Sequence, residues 1–578
     1  MIRAEDISLQ YPTRDENALD DLSFSVEEGE VLGVVGPVES GKTSLAMALA
    51  GLAPQVTGGA LTGDLTVAGR DPREADSDGR VGMVFEDYSA QLTQVRVIDE
   101  VLVPLLDRGF DREAALQRAR ELLERVRLSG YEQRRTWELS GGEQQRVAIA
   151  AVMATDPEVL VFDTATDMLD PEGREDVSNL VASLAGETTM VVTVDDPQEL
   201  VGVADSVLVL EDGRAEAVGQ ADQILRRHDL FERVGVRPPL PLRVGRELDL
   251  QATPLSADEL AAALPGAGRG GQSSEAATTV GSDDLRADGV GDPVIEVDDV
   301  TFGYDDETAV DGVDMTVHEG EVHAVVGGNG AGKTTLCELL VGLHAPDDGR
   351  LVVDGEPAAD RTAADLGESI ALAFQNPDEQ LSRRTVEAEL RFPLEQRQYD
   401  RSGWLPFASE QRYDEAYVEE HVERALSLTG LDGAGVREAD PTTLPQGTRR
   451  LVAIGAALAP DPAAAVLDEP TAGLDADGDE RMRQTIERLR AAGTAVIIVE
   501  HDMDFVCEMA DTVTLLDDGQ VRFQGPPREL FARENWDELR ERYLRPPRAA
   551  RLADRLELDA LTADQLIESA RSLAEAAT

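Results

Sequence analysis

Two stretches of this chain combine glycine, lysine and a hydroxyl residue at the spacing that wraps a polyphosphate. Gly327 to Thr334 (GGNGAGKT) fits G-x-x-x-x-G-K-[ST], the phosphate-binding P-loop, with Asn329 and Gly330 inside the turn and Thr335 following it. Glycines such as Gly332 let the backbone aim its N–H groups inward, and the helix that starts there adds partial positive charge. Lys333 would bridge the terminal phosphates, and Thr334 would ligate a magnesium ion. An earlier copy carries Gly36, Gly41, Lys42 and Thr43 at matching positions, followed by Ser44. Of 53 lysines and arginines only two are lysines, Lys42 and Lys333. A compact ammonium is kept where a planar guanidinium would not serve.

The flanking residues predict what positions these loops. Ala324, Val325 and Val326 read as a buried strand that breaks into the glycine turn and resumes as a helix at Thr334, and the earlier copy repeats the pattern. The chain of 578 residues allows three or four domains, or two large ones. With 114 acidic against 53 basic residues, a net charge of −61 and 42% hydrophobic content, it reads as folded cores under an acidic surface. That balance resembles proteins of salt-loving microbes, where salt screens self-repulsion, and it disfavours a general nucleic-acid partner. The two cysteines, Cys337 and Cys507, exclude a disulfide framework and suit a reducing cytoplasm, with Cys337 expected in the core. The first residues lack a secretory pattern, and no apolar run reaches the ~18 residues of a membrane span.

The dominant organisation is a duplication. SLQY (Ser8 to Tyr11) parallels TFGY (Thr301 to Tyr304), and VFEDYSAQL (Val84 to Leu92) parallels AFQNPDEQL (Ala373 to Leu381). ELSGGEQQR (Glu138 to Arg146) pairs with TLPQGTRRL (Thr443 to Leu451). EVLVFDTATDMLD (Glu158 to Asp170) pairs with AAVLDEPTAGLD (Ala464 to Asp475), and MVVTVDDP (Met190 to Pro197) with AVIIVEHDM (Ala495 to Met503). Each half alternates β-like runs with helical patterns, which predicts α/β domains with a largely parallel sheet. The expected boundaries are 1–235, an extension 236–264, a linker 265–293, 294–535 and a second extension 536–578. The linker, rich in Gly, Ser and Asp, would span roughly 30 Å as a coil, enough for the halves to pair with each other. QRQYDRSGWLPFASEQRYD in the second half looks like an inserted loop.

Five ordered motifs, each present twice, make the chain resemble ATP-binding-cassette (ABC) ATPases over both halves. The resemblance implies two tandem P-loop domains, each with a helical signature subdomain and a small C-terminal extension, that bind ATP and Mg2+. In that family two cassettes pair head to tail, so each ATP meets the P-loop of one and the signature of the other. By this resemblance Asp468, with Thr334 and Gln375, holds magnesium, and Glu469 orients or deprotonates the attacking water. His501 contacts the γ-phosphate and Tyr304 stacks on adenine, while Ser140, Gly141, Gly142 and Glu143 supply the signature for this site.

The other composite site departs from the pattern at every catalytic position. Thr164 stands where Glu469 does, Asp195 where His501 does, and Glu86 where Gln375 does. Opposite them Pro445 and Gln446 replace serine and glycine, removing a hydroxyl and a backbone donor. Tyr11, Lys42, Thr43, Ser44 and Asp163 remain. One hydrolytic and one binding-only site are expected, since losing a general base costs about 10²–10⁴ in rate.

Within the family, AFQNPDEQL and VEAELRFPLEQ resemble the energy-coupling-factor (ECF) importers of vitamins or transition metals. So do the paired tails Val236 to Leu264 and Leu544 to Leu573, by which such ATPases contact each other. An integral membrane energy-coupling subunit and a substrate-binding membrane subunit would be separate partners at the cytoplasmic face of the membrane. Another importer class, or an ABC ATPase acting on ribosomes or DNA, is the alternative.

Overall fold

A strand covered on both faces needs no polar alternation, and Val31–Val35 and Val322–Val326 have none. In the computed structural model all five residues of each are buried, and each lies inside a six-stranded sheet. The structure describes residues 1–12, 16–74, 79–164, 171–264, 291–304, 307–396, 414–433, 435–542 and 544–576, with backbone alone at 171–176 and 576. Most of the expected linker and of the expected insertion lies outside the described residues.

Two compact units divide the chain. The first takes Met1–Ala267 with Asp554–Leu558 and Leu566–Thr578; the second takes Gly268–Ala553 with Asp559–Gln565. The first holds strands β1 (Ile2–Gln10), β2 (Leu19–Val26), β3 (Val31–Val35), β4 (Ala60–Val67), β5 (Val81–Val84), β6 (Val159–Phe162), β7 (Thr189–Val194), β8 (Ser206–Glu211) and β9 (Arg214–Gln220). Its main sheet runs β5-β6-β7-β3-β8-β9, parallel except for β9, and β2-β1-β4 form an antiparallel sheet.

The second unit repeats this plan with β10 (Pro293–Tyr304), β11 (Glu307–His318), β12 (Val322–Val326), β13 (Asp348–Val353), β14 (Glu356–Pro357), β15 (Ile370–Ala373), β16 (Ala464–Asp468), β17 (Ala495–Val499), β18 (Thr512–Asp517) and β19 (Gln520–Gly525). Its main sheet runs β15-β16-β17-β12-β18-β19. The antiparallel sheet is β11-β10-β13-β14.

Both faces of each main sheet are covered. In the first unit, Leu45 and Leu49 of helix Lys42–Leu49 pack with Leu32 and Val34 of β3 and Ile7 of β1. On the other face Leu102, Leu122 and Val147, from helices Val97–Asp107, Arg112–Arg125 and Gly141–Met153, meet Phe162 of β6. The second unit substitutes Leu390, Val422 and Val452 against Leu467. Cys337 is core, as expected, packed beside Leu336 and Val325.

This winding decides where chemistry can occur. The loops after β3, β5, β6 and β7 all leave carboxyl ends of parallel strands, so they gather along one rim, and β12, β15, β16 and β17 do the same. Among the described residues no helix is long and apolar enough to cross a membrane.

Candidate functional site

The P-loop glycines hold conformations that a side chain would break. Gly41 and Gly332 have φ of 103° and 99°, and a Cβ would lie 2.6 Å from Ala18 O and 2.3 Å from Ala309 O. Each starts the helix whose first residue is the lysine. The Lys42 ammonium donates to Gly36 O and Pro37 O at 2.7 and 2.8 Å. Lys333 donates to Gly327 O and Gly328 O at 2.9 and 3.0 Å. Asn329 and Gly330 lie within the second loop and Thr334 and Thr335 in the first turn of its helix, as Thr43 and Ser44 do in the first copy.

In the second unit the rim brings two of the expected residues onto the carboxylate of a third. Glu469 follows β16 with φ of 45°, a left-handed turn that aims its side chain over the sheet edge. Gln375 Nε2 donates to its Oε2 at 2.5 Å, and His501 Nε2 lies 3.2 Å from its Oε1. Burial opposes ionisation of Glu469, yet the His501 hydrogen bond and the charges of His501, Lys333 and Arg450 outweigh it and hold the carboxyl below its ordinary range. Asp468 goes the other way: burial and the neighbouring Glu469 charge push it up to about 6. Two adjacent carboxylates thus show opposite tendencies, a pattern that suits different tasks.

The matching positions of the first unit make a different set of contacts. Strand register places Thr164 with Glu469 and Asp195 with His501. Thr164 keeps the left-handed backbone, φ 41°, although it is β-branched. Its N–H donates to Thr193 Oγ1 at 2.7 Å, and the Thr193 hydroxyl donates to Asp163 at 3.1 Å. Asp195 Oδ1 lies 2.9 Å from the Lys42 ammonium. Burial, with Asp163 and Asp195 nearby, raises the Glu86 carboxyl.

Magnesium fits the donors present. Thr43 Oγ1 donates to Asp163 Oδ1 at 3.2 Å, so a hydroxyl and a carboxylate converge as hard oxygen ligands. The raised Asp468 carboxyl is a charge that a cation would restore.

The aromatic and signature residues also differ between copies. Tyr304 is 44% exposed; its hydroxyl donates to Glu338 at 2.9 Å and its ring meets Phe302 edge-on. Tyr11 donates to Ser44 at 3.3 Å. Ser140 caps helix Gly141–Met153 in a reciprocal box, accepting from Glu143 N at 3.3 Å while Glu143 accepts from Ser140 N at 2.9 Å. Gly141 and Gly142 follow in its first turn. Pro445 occupies the equivalent cap with no side-chain bond.

Several positioning residues escaped the sequence reading. Arg450, 3% exposed, donates to the carbonyls of Glu469, Pro470 and Ala472 at 3.1, 2.9 and 2.7 Å and to Gln375 O at 2.6 Å. It thereby fixes both partners of the Glu469–Gln375 contact. The signal was an arginine inside an otherwise apolar helical stripe, Leu451-Val452. Glu500 accepts from Thr471 N and Oγ1 and from His501 N, which ties the loop after β16 to the loop after β17. Glu100 and Glu389 each accept from two backbone N–H groups after the glutamine loop, Thr93 and Gln94, Ser382 and Arg383. Their recurrence at matching positions was visible in the duplication.

The ABC transporter family model matches residues 19–167 and 310–472. An ABC transporter ATP-binding protein of Caldanaerobacter subterraneus is 31% identical over 98% of both chains. A Bacillus subtilis protein named for HMP/thiamine import, YkoD, is 27% identical over 92% of this chain and 93% of its own. Among solved structures, cbiO1 of Clostridium perfringens, titled part of the transporter complex cbiONQ, is 29% identical over 46% of this chain and 99% of its own, with a TM-score of 0.38. The chain belongs to the ABC transporter family, as an ATP-hydrolysing, ATP-binding subunit with two ABC ATPase domains.

Proposed function

We propose that this subunit powers an importer of the ECF type, for a vitamin or transition-metal ion, from the cytoplasmic face of the membrane. Its membrane partners are an energy-coupling subunit and a substrate-binding subunit on separate chains. The observation that carries the catalytic half of this reading is the grip of Gln375 and His501 on Glu469, which has no counterpart at Thr164. For transport, the support is a full-length relative named for HMP/thiamine import and the tails that repeat after both cassettes.

In the second cassette, Lys333 and the P-loop N–H groups hold the phosphates, and Tyr304 packs on the adenine. Thr334, Gln375 and Asp468 are the residues that would hold magnesium, which supplies charge neutralisation on the phosphates when bound. Glu469, ionised at neutral pH, turns its free lone pairs to the attacking water, and His501 and Gln375 meet the γ-phosphate. Ser140, Gly141, Gly142 and Glu143 are the signature, whose helix N-terminus favours anionic oxygens. In the first cassette Tyr11, Gly36, Gly41, Lys42, Thr43, Ser44 and Asp163 retain a nucleotide, and no residue there activates water. Concentrated salt screens the acidic surface during this cycle.

Purification of the native complex in concentrated salt, followed by mass spectrometry, tests the transport reading. Stoichiometric recovery of hydrophobic integral membrane chains supports it. Ribosomes or DNA as the recovered partner would replace it with the competing class.

A further inference from the structure

We infer that the first P-loop is built to hold a nucleoside diphosphate in preference to the triphosphate. This rests on reading the Lys42 loop as a nucleotide site, and it names the ligand class of that site. The Lys42 ammonium donates to Gly36 O and Pro37 O and forms an ion pair with the Asp195 carboxylate, Oδ1 lying 2.9 Å away. Lys42 is only 7% exposed, so this ion pair is poorly screened. The strand register that sets Asp195 at the position of His501 sets it where the second cassette meets a γ-phosphate. A third phosphate must therefore displace a carboxylate from the lysine and remain beside it.

The charges around the two lysines point the same way. The surroundings of Lys333 hold Asp468, Glu469 and Glu338 with the imidazole of His501, whereas those of Lys42 hold Glu86, Asp163 and Asp195, the last at the position of that imidazole. A carboxylate at the place of an imidazole penalises the more highly charged nucleotide. The frame of a β-phosphate cradle is kept: Gly36, Gly41 and the Lys42-Thr43 helix start match Gly327, Gly332 and Lys333-Thr334, while Pro37 and Glu39 stand where the second loop has Gly328 and Gly330. The first cassette then keeps a diphosphate through the cycle while the second binds and releases in turn.

The test uses the full chain carrying Lys333→Ala, which removes the second P-loop's grip, with ATP and ADP binding measured by equilibrium dialysis at fixed magnesium and salt. ADP is expected to bind at least as tightly as ATP. Adding Asp195→Asn is expected to tighten ATP by about tenfold or more and to change ADP by less than about threefold. Asp195→Ser, smaller and also uncharged, should give the same ratio if charge rather than shape decides. Tenfold tighter ATP before any change at Asp195, or an equal response of both nucleotides to Asp195→Asn, would overturn the inference and leave the nucleotide site standing. Binding of neither nucleotide would overturn the site itself.

Discussion

Glu469 and Thr164 occupy the same point of two equivalent units, with φ of 45° and 41°, and make different contacts. One presents a carboxylate held by Gln375 and His501. The other turns its hydroxyl toward Thr193, within 3.3 Å. The left-handed backbone is shared although the side chain it displays differs. A β-branched residue rarely adopts that conformation, so the rim is dictated by the sheet and the helices behind it rather than by the chemistry. On the proposed function, scaffold and catalysis are separable in this fold.

That contrast can be broken or sharpened by substitution. The largest effect is expected from Glu469→Gln, which keeps the shape and removes the proposed base; steady-state phosphate release should fall by about 10²–10⁴. Next is Arg450→Ala, which strips four backbone carbonyls of a buried donor. It should lower the stability of the second unit by about 3–5 kcal/mol, read as a lost or shifted calorimetric transition, while the first unit's transition stays.

Glu500 gives a pH-dependent distinction, since Val194 stands in its place in the first cassette. Burial pushes its carboxyl up to about 7, from an ordinary 4.5. The folded chain therefore holds a proton that the unfolded chain releases. This contribution to stability is complete below pH 4.5 and is lost as pH rises through about 7. Wild-type stability should fall across that window relative to Glu500→Gln by about 2–3 kcal/mol, followed by denaturant unfolding at several pH values. The smallest effect is expected from Thr164→Glu alone. Asp195 still occupies Lys42 and Glu86 still replaces the glutamine, so turnover should change by less than about twofold.

Much of this was legible in the sequence because it is local. The P-loop needs a strand, a glycine turn and a lysine in one short stretch, and the duplication displayed each motif beside its altered copy. Asp195 was visible as a misplaced charge, but its ion pair with Lys42 was not, because 153 residues separate them and strand order alone brings them together. Arg450 and Glu500 stayed hidden for a related reason. Arg450 donates to backbone carbonyls and Glu500 accepts from backbone N–H groups and the Thr471 hydroxyl, and backbone partners leave no mark in a residue pattern. Glu469 was recognised from its neighbour Asp468, yet the closeness of Gln375, 94 residues away, follows only from β15 and β16 being adjacent.

The most direct measurement is vanadate-dependent photolabelling of the wild-type chain with azido-ATP, followed by mapping of the labelled peptides. Vanadate traps nucleotide only where hydrolysis has occurred. Label is expected on the peptides of the second cassette around Tyr304 and Lys333. Equal vanadate-dependent label around Tyr11 and Lys42 would contradict a single hydrolytic site.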